Sequence, residues 1–320
     1  SRQLKFDAVA YTSDLENHPE ILNRLADNRP ILGNPPQVVK AARNWVPLFE
    51  KLRQAGFSVP MTVFSGEARK LDPKRRWLIK PLFSGGGHGI AFLKKAPLPG
   101  NRHILQEHLP GKPCSISFIA NGRECVVIGI TEQLVGLRPF GALGFRYCGN
   151  LLPCPDALDP HRGKRILVRA RELAAFLTKE LGLTGANGID VILDGERLSM
   201  LEVNPRYSAS MELIERAYGL PVFHLHMQAF MDRALPDFNL EKAWMRGGSF
   251  GKAILFAERA IFAPDTQNWH SRNLRDIPDS MECLPKGGPI CTILAAGPAY
   301  HKTYDELIRQ AGILRKEIYR

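Results

Sequence analysis

Apolar positions along the chain recur with two periods, and their order predicts strands and helices in alternation. Phe6–Tyr11 reads as a short strand, Pro19–Leu25 as a helical turn or two, and Pro30–Leu32 as a second strand ending at Gly33-Asn34. Val38–Ala42 and Val46–Gln54 carry a helical period, the second with Leu48, Phe49 and Leu52 on one face and a stop at Gly56. From Trp77 onward short strands dominate: Trp77–Lys80, Ile90–Lys94, His103–Glu107, Ser115–Ala120 and Glu124–Thr131, the last two turned by Asn121-Gly122. Asp159-Pro160 supplies an N-cap and a first-turn proline for a long helix to Leu181, with Ile166, Ala170, Leu173, Ala174, Leu177 and Leu181 as its buried stripe. Ala186–Leu193 and Arg197–Asn204 form a hairpin over Asp194-Gly195, followed by helices at Glu212–Tyr218 and Val222–Met231. Residues 235–250 read as a linker. Strands at Gly251–Ala260 and Ile290–Ala296 and a helix at Tyr304–Arg315 complete the pattern.

This pattern gives an α/β (α+β) chain, and at about 100–200 residues per domain a length of 320 predicts two or three packed units. A 44% hydrophobic and 23% charged composition excludes disorder over most of the length. Apolar runs such as Val126–Ile130 and Ile290–Ala296 fall far below the ~20 residues that span a bilayer, and no basic-then-apolar leader opens the chain. The expectation is therefore a cytoplasmic protein without a membrane partner. Only about thirty-five residues precede the first helix pair, which is short for an independent α/β unit and predicts further residues upstream of Ser1.

Lys plus Arg number 43 against 32 Asp plus Glu, a formal charge of +11. Such a surplus attracts polyanions. The cations are dispersed, though, with Lys74-Arg75-Arg76 the densest run and no zinc-finger, basic-zipper or ribonucleoprotein pattern beside them. Nucleic acid is not expected as a partner. The six cysteines, 114, 125, 148, 154, 283 and 291, include no C-x-x-C pair and read as reduced, mostly buried thiols.

Two stretches carry chemistry. Lys80 ends one strand, and Ser84-Gly85-Gly86-Gly87-His88-Gly89 leads into the next. Successive glycines expose backbone N–H groups and admit a phosphate chain, while the lysine adds a compact positive charge. The flanks are strand and strand, so the loop opens no helix as Walker and dinucleotide fingerprints do. A plain glycine-rich hairpin would look the same. The second stretch is the hairpin holding Asp190 and the run Glu202-Val203-Asn204-Pro205-Arg206. Alternation puts Glu202, Asn204 and Arg206 on one face. Two carboxylates and an amide oxygen are hard ligands suited to Mg2+ shared with phosphate oxygens. Arg206 suits an anionic substrate or a developing oxyanion. An ordinary surface patch of charges remains the alternative. Between the two lies Gln106-Glu107-His108-Leu109, a strand end able to offer backbone groups to a purine edge.

In this order and spacing the elements resemble the ATP-grasp superfamily, and within it the predicted carboligases related to biotin carboxylase. The resemblance covers nearly the whole chain. It implies a phosphate-binding Lys80 with a lid at Ser84, Gly85, Gly86 and Gly87. It also implies an adenine hinge at Gln106, Glu107, His108 and Leu109, Mg2+ (or Mn2+) on Asp190, Glu202 and Asn204, and catalytic roles for Arg206 and Lys80. Leu274-Arg275-Asp276-Ile277-Pro278 and Gly288-Pro289-Ile290-Cys291-Thr292 are similar to a biotin-carboxylase C-terminal domain. The implied units are a partial pre-ATP-grasp unit (1–36), a small lid subdomain (37–110), a central MgATP domain (111–235) and a C-terminal domain (236–320).

Departures are visible too. Trp45 falls where relatives commonly carry a lysine, leaving Arg43 to replace it or the contact to be lost, and Ser210 falls on the biotin-carboxylase glutamate, with Glu212 two residues on. The implied activity is an ATP-dependent carboxylate–amine ligase working through an acylphosphate, with cofactor biosynthesis as one setting. A bicarbonate-activating carboligase and a catalytically decayed nucleotide-binding scaffold are the alternatives. ATP, a carboxylate and an amine are the implied partners. Many relatives form homodimers, which leaves the oligomeric state open. Acceptor recognition is expected along Thr131–Pro153, a stretch without period that contains Gln133, Arg138, Arg146, Tyr147 and Asn150.

Overall fold

The computed structural model describes residues 7–12, 15–26, 29–64, 71–94 and 102–319. Phe6, which opens the first expected strand, lies outside them. The scaffold is one eight-stranded antiparallel sheet, in the order Arg197–Asn204, Thr184–Asp194, Lys112–Asn121, Cys125–Val135, Tyr147–Leu152, Ser249–Phe256, Pro289–Gly297, Leu274–Arg275. The helix Gly163–Leu181 lays Ile166, Ala170, Leu173, Ala174 and Leu177 on the first half of this sheet, as its period predicts. Helix Tyr300–Ile318 covers the other half with Leu307, Ala311 and Leu314. Because Tyr147–Leu152 pairs with Ser249–Phe256, the sheet runs on across the expected boundary at 235/236.

A separate four-stranded sheet, in the order Thr62–Phe64, His103–Glu107, Trp77–Pro81, Ala91–Phe92, carries the lysine strand and the hinge strand side by side. The N-terminal strands Val9–Ala10 and Ile31–Leu32 pair in parallel, and Asn34 just beyond them stitches this unit to the large sheet. Its fully buried amide donates to Thr184 O at 3.0 Å, Asn187 Oδ1 at 3.0 Å and Pro205 O at 2.9 Å, and its oxygen accepts Thr184 N–H at 3.0 Å. His226 adds a second stitch. Its Nδ1 accepts Ala186 N–H at 3.0 Å and its Nε2 reaches Leu32 O at 2.9 Å. A neutral ring fills both roles, and burial lowers its pKa accordingly.

Three expectations need correction. About half of the stretch 131–153 is sheet: one strand continues to Val135 and another runs over Tyr147–Leu152, with 136–146 between them holding the short turn Arg138–Phe140. Five of the six residues Tyr147–Leu152 are buried, so the strand shows no polar alternation to read. The linker at 235–250 holds a short helix, Leu240–Trp244, capped by Asn239, whose side chain accepts Lys242 N–H, and anchored by buried Leu240 and Ala243. The long helix begins at Gly163; Asp159 instead caps the preceding turn by accepting the N–H groups of His161 and Arg162, each at 2.9 Å.

Two of the thiols face each other. Cys114 and Cys154 lie Sγ to Sγ at 3.6 Å, both fully buried, and all six cysteines are free. Among the described residues no helix is long and apolar enough to cross a membrane.

Candidate active site

A cavity of about 500 Å3 opens between the small sheet and the large one. Lys80, Ser84, Gly85, Gly86, Gly87, Gln106, Glu107, His108, Leu109, Asp190, Glu202, Asn204 and Arg206 all line it. The residues of the lysine strand, glycine loop, hinge strand and hairpin thus converge on one space.

The hairpin works as its alternation predicts. Asp190 and Glu202 sit opposite each other in the register, and a bulge between Asp190 and Val191 re-aims the strand at that point. Asp190 accepts Gln133 Nε2 at 2.8 Å on one oxygen and Asn204 Nδ2 at 3.1 Å on the other. Burial, and then the negative charge of Glu202, push the Asp190 carboxyl up to about 7. Burial presses on Glu202 in the same sense, but Lys80 and Arg43 outweigh it and hold Glu202 below its ordinary value. Burial lowers the Lys80 pKa against the pull of these two carboxylates.

Two mutually repelling carboxylates and a neighbouring amide oxygen form a donor set that fits a hard divalent cation completed by phosphate oxygens. Among the described residues no three His, Cys, Asp or Glu gather as a metal site.

The Asp190 shift gives a stability prediction. Below pH 3.8 the folded and unfolded chains both hold this proton. As pH rises toward 7 only the unfolded chain releases it, so the folded state loses up to about 4 kcal/mol from this group. Asp190→Asn is expected to stabilise the ligand-free protein at pH 8 by on the order of 1–3 kcal/mol and to give no gain near pH 4. Denaturant titrations at the two pH values check this; an equal effect at both would contradict the repulsive pair.

The cationic wall answers the carboxylates. Lys80 Nζ donates to Gln106 Oε1 at 3.1 Å, and Gln106 Nε2 donates to Thr62 Oγ1 at 3.2 Å. The Gln106 side chain therefore aims the lysine, leaving only its backbone for the hinge. Arg43 ends the helix Pro36–Arg43 and reaches Glu202 Oε2 at 3.5 Å and Ser84 O at 3.4 Å. Trp45 is buried in the core, with its ring 5.6 Å from the Arg43 guanidinium and 5.9 Å from Lys80 Nζ. The indole is thus a support beneath two cations.

The glycine loop is folded down over the cavity. Gly86 O accepts Tyr147 N–H at 3.0 Å. Gly87 sits at φ +76°, where a Cβ would stand 1.8 Å from Phe145 O. At the hinge, Glu107 accepts Arg75 Nη1 at 2.6 Å and Met61 N–H at 3.2 Å. The His108 ring lies 5.2 Å from Phe92, which in turn lies 5.2 Å from Phe145. This gives the cavity an aromatic end.

A family model described as the ATP-grasp domain matches residues 42–210 of this geometry, more than half of the chain. The chain belongs to the ATP-grasp domain family. It is 24% identical over 83% of its length to a Methanocaldococcus jannaschii protein described as uncharacterized, and it spans 63% of that protein, less than two thirds. Among solved structures it resembles a Campylobacter jejuni biotin carboxylase in a beta-gamma-ATP complex, with a TM-score of 0.71 and 14% identity over 94% of this chain and 73% of that one. It also resembles an L-amino acid ligase from Bacillus licheniformis, with a TM-score of 0.69 and 16% identity over 97% of this chain and 80% of that one. At these identities the likeness is one of fold, that of biotin carboxylase and the ATP-grasp ligases.

The ATP-grasp cavity also holds residues that the sequence did not single out. Glu16, from the short turn Leu15–Asn17, accepts Arg206 Nε at 2.8 Å and Nη2 at 2.5 Å. No local pattern marks it, since the pair is 190 residues apart. Ser115 and Ser208 line the cavity too, as does Ser210, already marked in the sequence as a departure, whose Oγ lies 3.0 Å from both Ser117 Oγ and Ser208 Oγ. Of the expected acceptor residues, Gln133, Tyr147 and Asn150 line the cavity. Tyr147 O–H donates to Asn150 Oδ1, and Asn150 Nδ2 donates to Thr131 Oγ1 at 3.0 Å. Arg146 instead stacks on Phe256 at 3.8 Å, and Arg138 uses its carbonyl to hold Arg315 at 2.8 Å.

Proposed function

We propose that this ATP-grasp chain is a carboxylate–amine ligase that activates a carboxylate as an acylphosphate and releases ADP. The observation that carries this reading is the single cavity in which Lys80, Arg43 and Arg206 face Asp190, Glu202 and Asn204 beneath a folded-down glycine loop. Asp190, Glu202 and Asn204 would hold Mg2+, and the chemistry it supplies when bound is neutralisation of charge on the phosphate oxygens. Lys80, steadied by Gln106, adds positive charge to the same phosphates from the small sheet, and Arg43 adds it from the helix end. The peptide groups of Gly85–Gly87 cradle the phosphate chain, and the loop shuts out the water that would hydrolyse a mixed anhydride. Arg206, at the far end beside Ser208–Ser210, receives the oxygen of the carboxylate being activated. The hinge Glu107–Leu109 offers backbone groups to the adenine.

The bicarbonate alternative loses support at one point. Ser210, where biotin carboxylases carry a glutamate, is occupied with neighbouring hydroxyls. Glu212 cannot stand in, because it is turned to Lys252 at 3.2 Å and Arg216 at 3.4 Å. Intact cations and carboxylates speak equally against a decayed scaffold.

Hydroxylamine trapping tests the reading. Native protein with MgATP, hydroxylamine and each of a panel of amino acids and small dicarboxylates should give ADP and a hydroxamate in equal amounts for at least one acid. ADP release stimulated by bicarbonate alone, or no hydroxamate with any acid, would overturn it.

A further inference from the structure

Among the described residues, Glu16 is the one carboxylate of the cavity wall that neither the metal-type hairpin nor the hinge employs. It is 5% exposed. Its Oε1 takes both Arg206 contacts, and its Oε2 has no hydrogen-bond donor among the described residues. A buried carboxylate oxygen without a donor is costly, and a bound donor removes that cost. Glu16 itself lines the cavity, so a ligand held there lies within reach of this carboxylate.

The surroundings say what kind of donor fits. The Ser208 and Ser210 hydroxyls, on each other, and the Tyr147 hydroxyl, on Asn150, line the same cavity, and none of them adds a charge. Arg206 already provides for an anionic oxygen. We propose that Glu16 is the receptor for the ammonium group of the acceptor, a protonated primary amine such as an amino acid or its amide. This assignment rests on the ligase reading. Primary amines arrive as cations near neutral pH. A buried anion beside Arg206 sets the nitrogen next to the carboxylate being activated, in a low-dielectric space where the attraction is strong. The N-terminal unit thereby completes the acceptor end of the site.

Binding of glycinamide, L-alaninamide and ethylamine, with N-acetylglycinamide as the neutral control, tests this by saturation-transfer NMR in the presence of Mg2+ and a non-hydrolysable ATP analogue. The native protein should bind at least one ammonium probe ten-fold or more tightly than the neutral control. Glu16→Gln should lose that preference, and Glu16→Asp should keep it. Equal binding of charged and neutral probes by the native protein, or an unchanged preference in Glu16→Gln, would overturn the assignment. Should Glu16→Gln fail to fold by thermal melting, the native preference and Glu16→Asp still decide. Hydroxamate formation accompanied by unselective amine binding would defeat only the Glu16 role, whereas absent hydroxamate would defeat the ligase reading itself.

Discussion

Glu202→Gln is expected to lower metal-dependent ADP release by about 10²–10³-fold or more. The substitution conserves size and removes charge. Glu202 is the carboxylate that Lys80 and Arg43 keep ionised, and the Arg43 guanidinium stands 3.5 Å from it. A neutral amide there deprives the donor set of the carboxylate whose pKa Lys80 and Arg43 hold below its ordinary value, and leaves Asp190, which burial alone already pushes up, as the remaining acid. Lys80→Ala should produce a comparable loss by a different route, since it removes the cation that Gln106 aims at the cavity. Steady-state ADP release across a Mg2+ series separates the two effects. In Glu202→Gln high Mg2+ should restore part of the rate, and in Lys80→Ala it should not. Turnover at the native rate in either variant would remove that residue from the mechanism.

Gly87→Ala carries the second large effect. At φ +76° an L-residue is strained by about 1–2 kcal/mol. The decisive term is the collision: the added methyl would stand 1.8 Å from Phe145 O and 2.7 Å from Phe145 C, both backbone atoms of the facing loop. Backbone cannot swing aside as a side chain can, so the glycine loop must lift. A displacement of even ~1 Å over reacting phosphates costs about 10²-fold in rate. Gly86→Ala is the matched comparison. Its φ of +60° imposes similar strain, but the nearest atom to a Cβ is His88 Cδ2 at 3.8 Å. ADP release should therefore fall about 10²-fold further in Gly87→Ala than in Gly86→Ala. Equal losses in the two variants would mean that strain alone matters and that the loop does not need its seat on Phe145.

Local signals explain what was legible in the sequence. Lys80 followed by clustered glycines, and Asp190 facing Glu202 and Asn204 across an Asp-Gly turn, are written within a few residues of each other. Strand alternation then fixes which side chains share a face, and the structure places all of them on one cavity. Glu16 is different. Its meaning comes from Arg206, and only the docking of the N-terminal unit through Asn34 brings the two together. In the sequence Arg43 is only a cation near Trp45; its reach to Glu202 and Ser84 depends on how the helix Pro36–Arg43 packs against the strand Arg197–Asn204. Tyr147–Leu152 escaped notice because burial on both faces erases the two-residue period, and Leu240–Trp244 because five residues give too few turns to show one.

Everything proposed for this cavity requires a nucleotide in it. Calorimetric titration of the native chain with ATP, in the presence of Mg2+ and then of EDTA, tests it most directly. One nucleotide per chain, bound with Mg2+ and lost or strongly weakened without it, is the predicted result. No binding under either condition, or binding indifferent to the metal, would contradict the assignment of Asp190, Glu202 and Asn204 and with it the ligase chemistry.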